Sequence, residues 1–167
     1  IGDSGQIILG ANAWKIETTT KVGNTWLHFL ASDSDQIVNH KSEIINEADL
    51  PAIGSAVRIQ VDRARRAAIE RHHTVTHILH WALHEVVSQD ATQKGSSVTP
   101  DKLTFDFNSA ALTAAQLADI EKLVNERIMA NDVVSWTEVP YKDVQQNKGI
   151  MQLFGEKYPE NVRVVQI

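Results

Sequence analysis

The chain of 167 residues contains no cysteine. Disulfide bridges, a cysteine nucleophile and cysteine ligands to a metal are therefore excluded within it. No apolar run comes near the ~18 residues that a membrane-spanning helix requires, and no stretch reads as a signal peptide. An excess of cations is also missing: the net charge is −5, which argues against broad, nonspecific binding of nucleic acid. We expect a cytoplasmic globular protein with no membrane partner.

Hydrophobic residues make up 43% of the chain and charged residues 22%, which are ordinary values for a folded domain. A chain of this length can bury a real core and form one domain or two small ones. Because it begins with Ile1 rather than Met and ends on a predicted strand at 162–167, we interpret it as a piece of a longer protein.

Residues 1–62 are predicted to form a small β-barrel. Short runs rich in β-branched and aromatic residues lie at 7–9, 14–22, 25–30, 36–40 and 57–61. Gly23-Asn24 separates two of these runs and is typical of a hairpin turn. Several short strands without an intervening helix favour a barrel-like subdomain.

From residue 63 the pattern becomes that of an α+β domain, which we place at 63–167. A helix is predicted at 63–87, followed by a polar loop at 89–101 and a strand at 103–107. Thr113 and Gln116 form a capping box that opens a second helix, ended by Asn131. A strand at 133–139, a short helix at 141–147 and two further strands complete a two-layer arrangement of helices on a mainly antiparallel sheet.

Histidines define one face of the first helix. At ~100° per residue, His73, His77, His80 and His84 fall within roughly 60° of arc. The apolar residues gather on the opposite side: Val75, Ile78, Leu79, Ala82 and Val86. His73 and His77 are four residues apart, so both imidazoles can reach one metal ion. We expect His72, His80 and His84 to make hydrogen bonds or contact solvent instead.

Four arginines precede this pair: Arg63, Arg65, Arg66 and Arg71. A small basic patch beside a metal site suits a substrate that carries phosphate. The alternative is a solvated helix start, with Asp62 as its cap.

Several motifs together resemble the editing domain of alanyl-tRNA synthetases and of their free-standing relatives. They keep the family's order and spacing along nearly the whole chain. The motifs are Ile1-Gly-Asp-Ser-Gly-Gln-Ile7, Arg66-x-x-Ile69-x-x-x-His73-x-x-Thr76-His77-x-Leu79-His80, Gln93-Lys-Gly-Ser96-x-Val98, Leu103-Thr-Phe-Asp-Phe107, Val124-Asn-x-x-Ile128-x-x-Asn131, Leu153-Phe-Gly-Glu-Lys-Tyr158 and Val162-Arg-Val-Val165.

The resemblance implies a hydrolase that works within a ligase. Such domains cleave the ester of wrongly charged Ser-tRNA(Ala), and in some members Gly-tRNA(Ala), so the implied partners are the tRNA(Ala) acceptor end and the rest of the synthetase. It implies that His73 and His77 hold zinc, and that Thr76, Gln93 and Ser96 line the amino-acid pocket. Thr76 could instead bond its own helix, and Gln93 and Ser96 could belong to a polar turn around Gly95.

The chain departs from the family pattern in ways that affect the expected site. The family's Cys-x-x-x-His motif, which supplies two further zinc ligands, is absent, so we expect weak or empty zinc binding. Thr104 stands where an Arg is usual, and Asn108-Ser109 replaces a Ser-His pair. The alternatives to an editing domain are a free-standing deacylase of the same fold and a catalytically silent tRNA-binding module.

Overall fold

In this computed structural model, residues 2–31, 50–147, 149–150, 152 and 157–167 are described. They fall into two compact units, Ile1–Ile69 and Glu70–Ile167. The elements, in chain order, are β1 (Gly5–Leu9), β2 (Asn12–Val22), β3 (Thr25–Leu30), β4 (Arg58–Val61), α1 (Arg63–Val86), β5 (Gln93–Val98), β6 (Leu103–Phe107), α2 (Ala114–Ala130), β7 (Ser135–Pro140), α3 (Tyr141–Val144) and β8 (Asn161–Gln166).

The first unit is built on a four-stranded antiparallel sheet in the order β3-β2-β1-β4. Gly23 has φ +59° in the turn between β2 and β3, a conformation that a side chain disfavours. The predicted hairpin at Gly23-Asn24 is thus confirmed. Closure of this sheet into a barrel is not seen in the part of the chain that the structure describes, and the strand predicted at 36–40 lies outside that part.

Helix α1 begins with the cap that the sequence suggested. Asp62 Oδ1 accepts a hydrogen bond of 3.0 Å from the Arg65 backbone N–H, which satisfies one of the first unpaired amides of the helix. The Arg65 side chain donates to the Gly2 carbonyl at 2.9 Å, and Arg66 forms an ion pair with Asp3. Two arginines of the predicted basic patch therefore serve contacts within this unit.

The core of the second unit forms where α1, α2 and β6 meet. Its most buried members are Ala82, Leu83, Ala91 and Ile120. Partly buried apolar residues pack around them, among them Leu79, Trp81, Phe105, Phe107 and Leu123. Like most helices in folded proteins, α1 draws its stability mainly from the packing of its apolar side.

Helix α2 carries the predicted caps at both ends. The Gln116 backbone N–H donates to Thr113 Oγ1 while Gln116 Oε1 accepts from the Thr113 backbone N–H, which completes the capping box. Asn131 closes the helix in the left-handed conformation, with φ 51°. Of the apolar positions at helical spacing, Ile120 is buried, whereas Leu117 and Ile128 are exposed.

The prediction of a loop at 89–101 is wrong, because strand β5 occupies the centre of this segment. β5 pairs antiparallel with β6, with a register shift between Gln93 and Gly95. A polar run such as Gln-Lys-Gly-Ser-Ser has low strand propensity, yet the neighbouring β6 supplies the ladder hydrogen bonds that stabilise it. Gly95 suits the bulge because a Cβ there would lie 3.2 Å from Asp106 Oδ2.

Near the C-terminal end, β7 and β8 form an antiparallel pair. The strand predicted at 133–139 is confirmed with a later start, and the short helix is confirmed but ends at Val144. Of the two closing strands, one is β8, while residues 151 and 153–156 lie outside the described residues. The predicted α+β class is confirmed. Among the described helices, none has the length and apolarity to span a bilayer.

Leu83 and Leu117 offer a matched test of this core, because Leu83 is 1% exposed and Leu117 is 54% exposed. We expect Leu83→Ala to lower the free energy of unfolding by about 2–5 kcal/mol, through lost burial and a residual cavity. Leu117→Ala should change it by less than about 0.5 kcal/mol. Urea denaturation followed by circular dichroism measures both, and equal losses would contradict the placement of the core.

Candidate functional site

The His73 and His77 side chains meet on the surface of α1. Their Nε2 atoms are 3.3 Å apart, and their ring centroids are 5.0 Å apart. Residues four apart on a helix lie on the same face, one turn above the other. The two imidazoles therefore lie within hydrogen-bonding distance of each other, and their role as metal ligands stays a prediction.

His77 is biased toward its neutral form. Partial burial lowers the pKa of the His77 imidazole, and the neighbouring His73 lowers it further because two positive rings would repel. A neutral imidazole keeps a lone pair on one ring nitrogen, which is the form that ligates metals. The local electrostatics thus favour the protonation state that a metal site requires.

The pair fits half of a zinc site. In a tetrahedral site with zinc–nitrogen bonds of about 2.0–2.1 Å, adjacent ligand nitrogens lie roughly 3.3 Å apart, as these two do. A structural or catalytic zinc takes at least three protein ligands. Among the residues that the structure describes, no group of three or more His, Cys, Asp or Glu side chains could hold a metal.

The remaining histidines of α1 bond to backbone carbonyls, as predicted. His72 Nδ1 donates to the Thr99 carbonyl at 2.8 Å. His80 Nε2 and His84 Nε2 both donate to the Ala91 carbonyl, at 3.1 Å and 2.8 Å. A carbonyl oxygen can only accept, so each of these nitrogens carries a proton.

Thr76 is 5% exposed, and its hydroxyl donates to the His72 carbonyl at 2.8 Å within the same helix. This is the back-bonding arrangement common for a threonine inside a helix. Its predicted role in an amino-acid pocket stays a prediction, and the hydroxyl would have to exchange this bond to serve it.

Gln93 and Ser96 lie together on β5. Gln93 Nε2 donates to Ser96 Oγ at 2.9 Å, across the bulge at Gly95. The polar turn considered for this segment does not form, because β5 continues through it. Within the described residues, no hydrogen bond joins this pair to His73 or His77.

A cavity of about 610 Å³ adjoins the histidine pair, and His77 is part of its wall. Arg127 of α2 stacks over the Trp81 ring at 4.8 Å, and both residues line the cavity. Tyr141 and Tyr158, whose rings stack at 5.0 Å, line it as well. The cavity thus combines a histidine, aromatic surfaces and a cation.

Sequence patterns did not point to three residues that line the cavity: Trp81, Arg127 and Tyr141. Helical spacing gave a partial signal, since Trp81 is four residues beyond His77 and faces the same way. No sequence motif around Arg127 or Tyr141 indicates a site. These residues lie on α2 and α3, and the fold places them at the cavity.

Several known proteins are similar in sequence to this chain, and the three described below are all alanine–tRNA ligases. No protein-family model matches the chain. The alanine–tRNA ligase of Dichelobacter nodosus is 43% identical over 168 residues, covering 100% of this chain and 18% of the relative. That of Akkermansia muciniphila is 40% identical over 167 residues, covering 100% and 16%. That of Methylacidiphilum infernorum is 51% identical over 115 residues, covering 68% and 12%.

Identity at this level along the whole chain relates it to the class of tRNA ligases, of which it matches one segment. More particularly, the chain belongs to the alanine–tRNA ligase family. It spans less than a fifth of the length of these three relatives.

The facing Nε2 atoms make metal binding testable in this chain. We expect weak Zn²⁺ binding, and His77→Ala should reduce the affinity by about tenfold or more, because one of two ligating nitrogens is lost. Isothermal titration calorimetry with Zn²⁺ measures this. His28→Ala, in β3, is the control and should leave the affinity unchanged. An equal loss in both variants would speak against a site at the pair.

Proposed function

We propose that this chain is an editing domain of an alanine–tRNA ligase. It would hydrolyse the ester that joins serine or glycine to tRNA(Ala), in a zinc-dependent site. The observation that carries this proposal is the His73–His77 pair, with Nε2 atoms 3.3 Å apart, at the wall of a cavity of about 610 Å³. Kinship with alanine–tRNA ligases supports the choice of tRNA.

His73 and His77 would hold the zinc through Nε2. When bound, zinc supplies Lewis acidity, which polarises an ester carbonyl or lowers the pKa of a bound water toward ~7. Partial burial and the nearby His73 lower the pKa of His77 and so favour its neutral form, whose lone pair can bind a metal. An aminoacyl ester is already activated, and modest assistance suffices.

The cavity suits the end of a nucleic-acid strand. The stacked Tyr141 and Tyr158 rings form an aromatic wall against which a base can pack, and Arg127, which lies over the Trp81 ring, offers a cation to a phosphate. With a net charge of −5 on the whole chain, such local cations rather than a broad basic surface would attract the substrate. This arrangement supports recognition of a strand end.

Gln93 and Ser96 would distinguish a seryl group from an alanyl group. Since Gln93 Nε2 donates to Ser96 Oγ, the Ser96 hydroxyl hydrogen and Gln93 Oε1 can pair with a seryl hydroxyl. An alanyl group has no hydroxyl, so it would leave these groups unpaired if they were desolvated around it. Hydrolysis adds water oxygen to the carbonyl carbon, breaks its bond to the ribose oxygen and gives that oxygen a proton.

A silent tRNA-binding module is the second candidate. Two observations favour it: the Thr76 hydroxyl is engaged in its own helix, and the described residues supply only two metal ligands. A free-standing deacylase of the same fold would share the chemistry proposed here.

Hydrolysis of Ser-tRNA(Ala) with added zinc tests the function. We expect it from a chimera in which this chain replaces the matching segment of the Dichelobacter nodosus ligase, and we expect less from the chain alone because its site has two ligands. His77→Ala should lower kcat in the chimera by about 100-fold or more, as removal of a metal ligand disables the site. A zinc chelator should have a similar effect.

His28→Ala is the control for this experiment and should leave hydrolysis unchanged. If the chimera charges tRNA with alanine but neither it nor the chain cleaves the seryl ester, the hydrolase is refuted. The binding module is then the better account.

Arg127 and Lys122 allow a matched test of the cavity, because both are cations on α2 and only Arg127 lines it. We expect Arg127→Gln to raise KM for Ser-tRNA(Ala) about tenfold, through loss of a charge-assisted contact worth about 1.5 kcal/mol. Lys122, whose side chain is 71% exposed, should tolerate Lys122→Gln. Equal effects of the two would indicate general electrostatic attraction instead of a contact in the cavity.

A further inference from the structure

Three histidines of α1 hold the two flanks of strand β5. His72 Nδ1 donates at 2.8 Å to the carbonyl of Thr99, the residue that directly follows the strand. His80 Nε2 and His84 Nε2 donate to the carbonyl of Ala91, two residues before the strand begins. Helix α1 therefore forms hydrogen bonds with the chain on both sides of β5.

In the sequence, these contacts lie on both sides of the candidate site residues, on α1 and again around β5. On the helix, His73 and His77 lie between His72 and His80. On the following segment, Gln93 and Ser96 lie between the two gripped carbonyls. The histidines that bond to carbonyls thus enclose both the metal-binding pair and the proposed selectivity pair.

We propose that His72, His80 and His84 are positioning residues, which fix Gln93 and Ser96 relative to the His73–His77 pair. They do so by fastening the polar strand β5 to α1 at its two ends. This inference deepens the proposed editing function and rests on it for its catalytic consequence. The fastening of β5 to α1 by these hydrogen bonds does not depend on that function.

The hydrogen bonds from His80 and His84 to the Ala91 carbonyl matter for stability because Ala91 is buried. Ala91 is 1% exposed, so its carbonyl would lack a partner if both histidine donors were removed. Either donor alone can satisfy it, and loss of both should exceed the sum of the single losses. His80 also contacts the Phe105 ring of β6, with centroids 5.2 Å apart, which fixes the orientation of its imidazole.

Strand β5 pairs with β6 along its length, but its own side chains add little to hold it against α1. Its residues are mostly polar, and a bulge at Gly95 interrupts its pairing with β6. On the β6 side, Asn108 Oδ1 accepts from both the backbone N–H and the hydroxyl of Thr92, at 2.6 Å and 2.8 Å. The segment before β5 is thus held by hydrogen bonds from both α1 and the end of β6. At the far end of β5, the hydrogen bond from α1 is the one that His72 donates to Thr99.

Amide side chains provide conservative variants. Asparagine places an N–H donor near the Nδ1 position of histidine, and glutamine places one near Nε2. We would compare His72→Ala with His72→Asn, and the double variant His80→Ala/His84→Ala with His80→Gln/His84→Gln. Leu83→Ala, a core change that removes no hydrogen bond, controls for general destabilisation.

Two measurements are made on each variant below its unfolding transition. Hydrogen exchange of the Gly95, Ser96 and Ser97 backbone amides reports whether β5 stays fastened, in this chain alone. Hydrolysis of Ser-tRNA(Ala) and Ala-tRNA(Ala) by the chimera described above gives the ratio of kcat/KM values, which reports amino-acid selectivity.

We expect the alanine variants to speed exchange across β5 and to lower the serine-to-alanine ratio about tenfold, the usual cost of losing a supporting contact. Zn²⁺ affinity should stay within about twofold, since His73 and His77 are untouched. The amide variants should restore both readouts. Leu83→Ala should lower stability without changing the selectivity ratio.

If the rates of hydrogen exchange are unchanged in the alanine variants, the proposal that the three histidines fasten β5 to α1 is wrong. Faster exchange with an unchanged selectivity ratio would overturn the positioning role. If the unsubstituted chimera hydrolyses neither ester, the editing function fails, while the exchange measurement still decides whether the three histidines fasten β5.

Discussion

Burial of one side of α1 is the constraint on which the rest of the second unit depends. Ala82 and Leu83 pack with Ile120 of α2 and with the phenylalanines of β6, and this fixes the rotation of the helix about its axis. Once that rotation is set, 100° per residue determines where every other side chain points. The orientation of the histidines is therefore a consequence of apolar packing on the rest of the helix surface.

Local signals predicted the helices well, and long-range pairing explains where prediction failed. The cap at Asp62 and the capping box at Thr113 act between residues three apart, so the sequence contains them completely. Strand β5 could not be found in this way. Its polar composition is typical of a loop, and only pairing with the β6 segment, which lies beyond an intervening turn, makes it a strand.

The same distinction applies to the candidate site. His73 and His77 were predictable because one helical turn brings them together, whatever the rest of the fold does. The approach of Gln93 to Ser96 needed the bulge at Gly95, and the cavity beside His77 needed residues from α2, α3 and β8. Such arrangements depend on tertiary contacts, which periodicity and spacing do not encode.

The five histidines of α1 divide into two groups according to what their nitrogens face. A nitrogen that donates to a carbonyl has its proton fixed in place and cannot ligate a metal through that atom, which holds for Nε2 of His80 and His84. In the described residues, His73 and His77 have no carbonyl partner, and their Nε2 atoms share a hydrogen bond of 3.3 Å, so a shift of the donor's proton to Nδ1 frees both lone pairs. Hydrogen bonding therefore removes His80 and His84 from competition through Nε2. The His73–His77 pair keeps the two nitrogens that can converge on an ion. The backbone carbonyl of Ala91 contributes to this selection as much as the histidines themselves do.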